Sequence, residues 1–213
     1  MTLEEAIAKI KPLDHNAMEI AQKRWDSIAK PLHSLGKLET LLIQIAGITG
    51  NAEVDLSRRG LIAMCADNGV VEEGVTQTGQ EVTAIVAENF LKYDTSVGVM
   101  CKQNHAEIFP VDMGMVTDTK VRTDHKIAYG TQNMTKGPAM TREQAVKGLE
   151  AGIDMVRELN DKGYRILATG EMGIGNTTTS SAVASVLLKQ PVEEMTGRGA
   201  GLTSEGLMRK INA

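Results

Sequence analysis

The sequence predicts an α/β protein: an open, mostly parallel sheet with helices on both faces, plus a small N-terminal helical subdomain. Three observations carry this. Short continuous apolar runs recur along the chain, as in strands buried on both faces. Segments with helical periodicity alternate with them, which is the rhythm of βαβ units. The residues before the first run carry helical periodicity alone. The expected organisation is a small helical subdomain over 1–50 and an incomplete Rossmann-like α/β domain over 51–213.

Each element has its own signal. Thr2 and Glu5 form a capping box ahead of Ala6, Ile7 and Ile10. Asp14 is placed to cap a second helix bearing Ala17, Ala21, Trp25 and Ile28. Leu38, Leu41, Leu42 and Ile45 mark a third. Strands are expected at Leu61–Ala66, Ala106–Val111 and Tyr164–Ala168. Between and after them, helices are expected with caps at Thr78 (boxed with Glu81), Thr141 (boxed with Gln144) and Thr203, and one that opens after Asn176 and stops at Pro191. Three strands are few for a doubly wound domain. The amphipathic pattern of Leu207, Met208 and Ile211 runs to Ala213, so the sequence is expected to stop short of its whole domain.

Composition narrows the function classes. Hydrophobic residues make up 42% and charged residues 23% of 213 positions, which suits a globular chain. The net charge of −4 gives no electrostatic footprint for nucleic acid or an anionic membrane. No signal peptide or apolar span is legible. Cys65 and Cys101 lie in apolar surroundings without metal-ligand spacing, as expected in a reducing cytoplasm. His15, His33, His105 and His125 show no such spacing either, so no metal is expected. The charges between Lys120 and Lys126 read as a solvated loop.

All three expected strands end in an acid beside glycine: Asp67-Asn68-Gly69, Asp112-Met113-Gly114 and Gly170-Glu171. Ligands of such sheets lie beyond these strand ends, although Asp and Gly also simply make turns. The densest chemistry is Gly170-Glu171-Met172-Gly173-Ile174-Gly175-Asn176-Thr177-Thr178-Thr179-Ser180. Glycines let the backbone approach a ligand, and the helix N-terminus that follows favours an anion. A phosphate is the natural occupant. No lysine follows the glycines as in a P-loop, and Thr178 stands where the dinucleotide fingerprint has its third glycine.

Gly170–Thr178 resembles the signature of the nicotinate-nucleotide–dimethylbenzimidazole phosphoribosyltransferase family. Further blocks agree in order: Ser34-Leu35-Gly36-Lys37-Leu38-Glu39, Ala66-Asp67-Asn68-Gly69-Val70, Glu81-Val82-Thr83-Ala84, Val111-Asp112-Met113-Gly114, Gly130-Thr131-Gln132-Asn133-Met134, Gly137-Pro138-Ala139-Met140-Thr141 and Thr196-Gly197-Arg198-Gly199-Ala200-Gly201. The resemblance runs from about residue 14 to the end of the chain.

The resemblance implies a pentosyltransferase that moves ribosyl phosphate from nicotinate mononucleotide to a benzimidazole-type base. It implies a homodimer with no cofactor. The donor's pyridinium is already a good leaving group, so no metal is needed. Gly173, Ile174, Gly175, Asn176, Thr177 and Thr178 are implied to hold the 5′-phosphate, with Lys210 close by. Glu171 is implied to stand near the ribose hydroxyls or the incoming base. Asp67, Asn68, Gln77 and Gln80 are implied to border the base pocket, and Asp112 to shape the site or merely form a turn. The family's general base is a glutamate near its C-terminus. No residue here takes that part, so this chain alone is expected to be inactive or nearly so.

The chain departs from the family in places. Lys30-Pro31-Leu32-His33 replaces a Lys-Pro-Pro-Gly run, Asn68 stands where histidine is common, and Thr76-Gln77-Thr78-Gly79 replaces a tyrosine–proline pair. The last change leaves adenine or phenolic acceptors open. Two rival classes remain. A transferase using phosphoribosyl pyrophosphate would carry two adjacent acids and depend on magnesium, whereas Glu171 stands alone. A non-catalytic nucleotide-binding module would bind without turnover.

Overall fold

The computed structural model describes residues 1–213. The chain divides into two compact units, Met1–Arg58 and Arg59–Ala213.

The first unit holds α1 (Leu3–Ala8), α2 (His15–Ser27) and α3 (Lys37–Thr49). The Thr2–Glu5 capping box is formed, and Asp14 caps α2 by accepting the Ala17 N–H. Glu39 orders the loop between α2 and α3. Its buried carboxylate accepts the Leu35 N–H at 3.1 Å and pairs with Lys30 Nζ at 2.9 Å.

The second unit holds β1 (Arg59–Ala66), a 3₁₀ turn (Gly69–Glu73), α4 (Glu81–Lys92), α5 (Ser96–Gln103), β2 (Ala106–Gly114), α6 (Arg142–Asp161), β3 (Ile166–Met172), α7 (Asn176–Leu188), α8 (Val192–Met195) and α9 (Ser204–Asn212). The three strands form one parallel sheet in the order β2-β1-β3. Pro110 is tolerated because β2 is an edge strand. Side chains of β1 alternate between two cores. Ala63 and Cys65 pack with Ala87 and Phe90 of α4, while Ile62 packs with Met155 and Leu159 of α6. Helices therefore cover both faces. The chain visits β2 on one side of β1 and then β3 on the other, so the crevice beyond β1 and β3 is a switch point of the sheet. On α7, Val183, Val186, Leu187 and Leu188 are exposed.

Three expectations need correction. The third strand starts at Ile166, and Gly170-Glu171 lies inside it, because pairing with β1 continues to Cys65↔Met172. Tyr164 instead packs edge-on against Phe109, with ring centroids 5.1 Å apart. Thr78 does not cap α4. That helix begins after Gln80 without a side-chain cap, and the Thr78 carbonyl accepts from Thr76 Oγ1. The Lys120–Lys126 loop is not simply solvated: Lys126 Nζ lies 3.1 Å from the fully buried Asp112 carboxylate, and Arg122 bridges Asp124 and Glu158. Burial alone lowers the Lys126 pKa, but its bonds to Asp112 and Asp118 outweigh that and raise it.

Candidate functional site

β3 delivers the chain to the switch point, and two glycines let it turn into α7. Gly173 packs so closely that an added Cβ would lie 2.1 Å from the Ala66 carbonyl oxygen. Gly175 caps the helix at φ +90°, where a side chain is strained. Of the amides in this turn, Ile174 N–H donates to Thr83 Oγ1, Asn176 N–H to the Gly173 carbonyl and Thr178 N–H to the Gly175 carbonyl. The Gly175 and Thr177 N–H groups have no protein partner, as expected in the first turn of a helix.

These two amides border a cavity of about 120 Å³ with walls from three segments: Val75–Thr78, Gly173–Thr177 and the turn Arg198, Gly199, Ala200 and Leu202. Gln77 Nε2 donates to the Gly201 carbonyl at 2.6 Å and ties the first segment to the third. Arg198 braces its own turn, donating to the Leu202 carbonyl at 2.8 Å and to Ser204 Oγ at 3.1 Å. Arg209 Nε reaches the Gly74 carbonyl at 3.1 Å.

Behind this wall lies Lys210, only 3% exposed. Its Nζ donates to Thr177 Oγ1 at 2.8 Å and to the Gly197 carbonyl at 3.0 Å. No acidic side chain pairs with it. Burial draws its pKa down from the ordinary lysine value. Because Thr177 Oγ1 accepts from the ammonium, its own proton is free to point into the cavity. Two unpartnered amides at a helix N-terminus and a hydroxyl thus border one small space, with a buried cation behind the hydroxyl. That set suits a phosphate-sized anion.

The other expected residues are scattered around it. Glu171 is exposed at the end of β3, and both carboxylate oxygens accept from Asn176 Nδ2 at 2.7 Å. The Asn176 side chain is thereby committed to Glu171. Thr178 is buried with its hydroxyl off the cavity wall. Asp67 is fully buried and its Oδ2 accepts the Val116 N–H at 2.8 Å. Burial, opposed by the Thr83 hydroxyl, raises its pKa. Asn68 donates to the Ile174 carbonyl at 3.1 Å and receives Thr179 Oγ1 at 3.2 Å. Gln80 supports it by donating to the Asn68 carbonyl at 3.2 Å. Gln77 borders the cavity at the start of α7. The four residues expected around a base pocket do not share one cavity. Asp112 forms a turn, taking the Gly114 and Met115 N–H groups at 2.9 and 2.7 Å.

A second cavity, of about 210 Å³, opens beyond β1 and β2. It is lined mainly by apolar groups, among them Met113, Ile127, Ala139 and Met140. Sequence reasoning gave Thr83 and Arg198 no role, although both stand in blocks that resemble the family, Glu81–Ala84 and Thr196–Gly201. No group of three or more His, Cys, Asp or Glu side chains is placed to hold a metal ion. No helix is long and apolar enough to cross a membrane.

Comparison with known proteins places the chain in a family. The family model DBI_PRT, described as Phosphoribosyltransferase, matches residues 10–213. A nicotinate-nucleotide–dimethylbenzimidazole phosphoribosyltransferase of Ruminiclostridium cellulolyticum is 51% identical over 213 residues, covering 99% of this chain and 60% of the relative. One from Clostridium acetobutylicum is 49% identical, again covering 99% of this chain and 60% of the relative. The crystal structure of CobT from Thermus thermophilus superposes with a TM-score of 0.83 at 36% identity, over 92% of this chain and 60% of that one. The chain thus spans about 60% of the length of the curated relatives it matches.

Proposed function

Since the chain belongs to the phosphoribosyltransferase family whose model spans residues 10–213, we propose that it supplies the donor-phosphate site of an enzyme moving ribosyl 5-phosphate from nicotinate mononucleotide to dimethylbenzimidazole or a related base. The products are an α-ribazole phosphate and nicotinate. The observation that carries the proposal is Lys210: a buried ammonium without an acidic partner, directed at Thr177 beside the free amides of α7. A buried charge without a counter-charge is costly, and a bound phosphate relieves the cost.

The chemistry follows from the donor. The anomeric carbon carries a cationic pyridinium, and its bond to nitrogen breaks as a nitrogen of the acceptor attacks. The acceptor's proton is then lost to a base. Holding the phosphate fixes the sugar relative to the incoming ring, and orientation of this kind supplies a large share of such a barrier reduction. Glu171, fixed by Asn176, supports the site from the end of β3. The cavity containing Met113 and Met140 has the apolar lining that a benzimidazole-type ring prefers. Two unpaired buried cysteines are in keeping with work in a reducing cytoplasm. The family resemblance favours a homodimer.

Isothermal titration of the chain with nicotinate mononucleotide, without metal and beside nicotinate riboside, tests the site. Binding that requires the phosphate is expected. Equal affinity for the two ligands, or magnesium-dependent binding of phosphoribosyl pyrophosphate in preference to both, would overturn the proposal.

A further inference from the structure

Ile174 is the middle residue of the turn between β3 and α7, and side chains from distant segments hold both sides of its backbone. Its N–H donates to Thr83 Oγ1 at 3.0 Å, and its carbonyl accepts from Asn68 Nδ2 at 3.1 Å. Each partner is itself fixed. Thr83 is fully buried on α4, against Asp67. Asn68 receives Thr179 Oγ1 on its amide oxygen, while Gln80 holds its carbonyl. Neither Thr83 nor Asn68 is on the wall of the anion cavity.

We propose that Thr83 and Asn68 are positioning residues that clamp Ile174 and so set the aim of the Gly175 and Thr177 amides at the donor's phosphate. The proposal rests on the reading of that cavity as the phosphate site. A turn flanked by two glycines has many conformations open to it. Donors contribute most when their direction is fixed before the anion arrives, because little reorganisation is then left to do. The clamp engages the Ile174 amide with a side chain from α4. Asn68 suits the task because its amide donates to one element and accepts from another. Its nitrogen faces the Ile174 carbonyl, and its oxygen receives the Thr179 hydroxyl.

The test compares Thr83→Val, Thr83→Ser and Asn68→Ala in the full chain. Titration with nicotinate mononucleotide and nicotinate riboside is paired with residue-resolved amide exchange and a melting curve. Thr83→Val and Asn68→Ala are expected to weaken mononucleotide binding about tenfold while leaving the riboside unchanged. Thr83→Ser, which keeps the acceptor, is expected to bind like the parent chain. The Ile174 amide is expected to exchange faster in Thr83→Val alone of the two Thr83 variants. Faster exchange with unchanged mononucleotide affinity would overturn the positioning role. Equal losses for both ligands alongside a lower melting point would reduce the clamp to a fold contact and overturn it too. A parent chain with no preference for the phosphorylated ligand would overturn the phosphate reading, and the proposal with it. That failure is visible before any variant is made.

Discussion

Lys210 donates a hydrogen bond to Thr177 Oγ1 at 2.8 Å, joining α9 to the first turn of α7. The contact arms a hydroxyl with a positive charge while keeping that charge out of water. Stability and binding therefore pull in opposite directions at this residue.

Lys210→Met separates the two. The variant removes a buried ammonium and leaves the Thr177 hydroxyl and the Gly197 carbonyl to water. Replacing an uncompensated buried charge with an apolar chain of similar length is expected to leave unfolding free energy unchanged or raise it by up to ~2 kcal/mol. Mononucleotide affinity is expected to fall by roughly 2 kcal/mol, the scale of a charge-assisted bond. Denaturant melts and titration check the two signs independently. A destabilised variant with unaltered affinity would contradict both.

The same lysine predicts how binding depends on pH. Its pKa in the free chain is drawn below the ordinary lysine value by burial. A bound phosphate favours the ammonium and pushes that pKa back up. Above the lowered value, binding must take up a proton, so affinity falls as pH rises through it. Below the phosphate's second ionisation, near ~6, affinity falls again because the dianion is lost. A bell-shaped profile is expected. Lys210→Met is expected to keep the acid limb and lose the alkaline one, read by titration in buffers of different ionisation enthalpy.

Asp67 offers a stability test with the opposite charge. Burial raises its folded pKa above the unfolded value. Its contribution to stability is therefore full below the unfolded pKa and is lost as pH rises through the folded one. Asp67→Asn keeps an oxygen for the Val116 N–H without the charge. It is expected to remain within ~1 kcal/mol of the parent chain near neutral pH and to remove this component of the pH dependence. Asp67→Ala strips the Val116 amide of its acceptor and is expected to cost ~2–3 kcal/mol. Urea melts across pH values distinguish the two.

Much of this site could be read from local spacing, and the remainder could not, for one physical reason. Gly173, Gly175 and the threonines stand side by side in the chain, and turn geometry acts over one turn, so the glycine turn that opens α7 was legible. The capping boxes at Thr2 and Thr141 were legible on the same grounds. Thr83 meets Ile174 across 91 positions, and Asn68 reaches the same residue across 106. No local pattern marks such pairs, because they arise only when parallel pairing brings the ends of β1 and β3 together. The Thr78 signal misled for the complementary reason. Its sequence fits a cap, but the Thr76–Thr78 contact bends the chain before the helix starts. The helix α5 was missed because Val97, Gly98 and Val99 are weak helix formers. It is held by the Thr95 cap and by Cys101 buried against the core.

Gly173→Ala is expected to be the most damaging single change in the turn. A methyl group there would lie 2.1 Å from the Ala66 carbonyl oxygen and 3.1 Å from Asn68 Nδ2. The first contact is with the backbone of the central strand, which cannot swing aside as a flexible side chain would. Relief must come from the turn, which would move away from β1 and take the Ile174 carbonyl off Asn68. Loss of mononucleotide binding is therefore expected, with a destabilisation of ~3 kcal/mol or more. Gly197→Ala is the control, since an added Cβ there meets nothing within 4 Å. Comparable binding by both glycine variants would mean that the turn does not depend on its approach to Ala66.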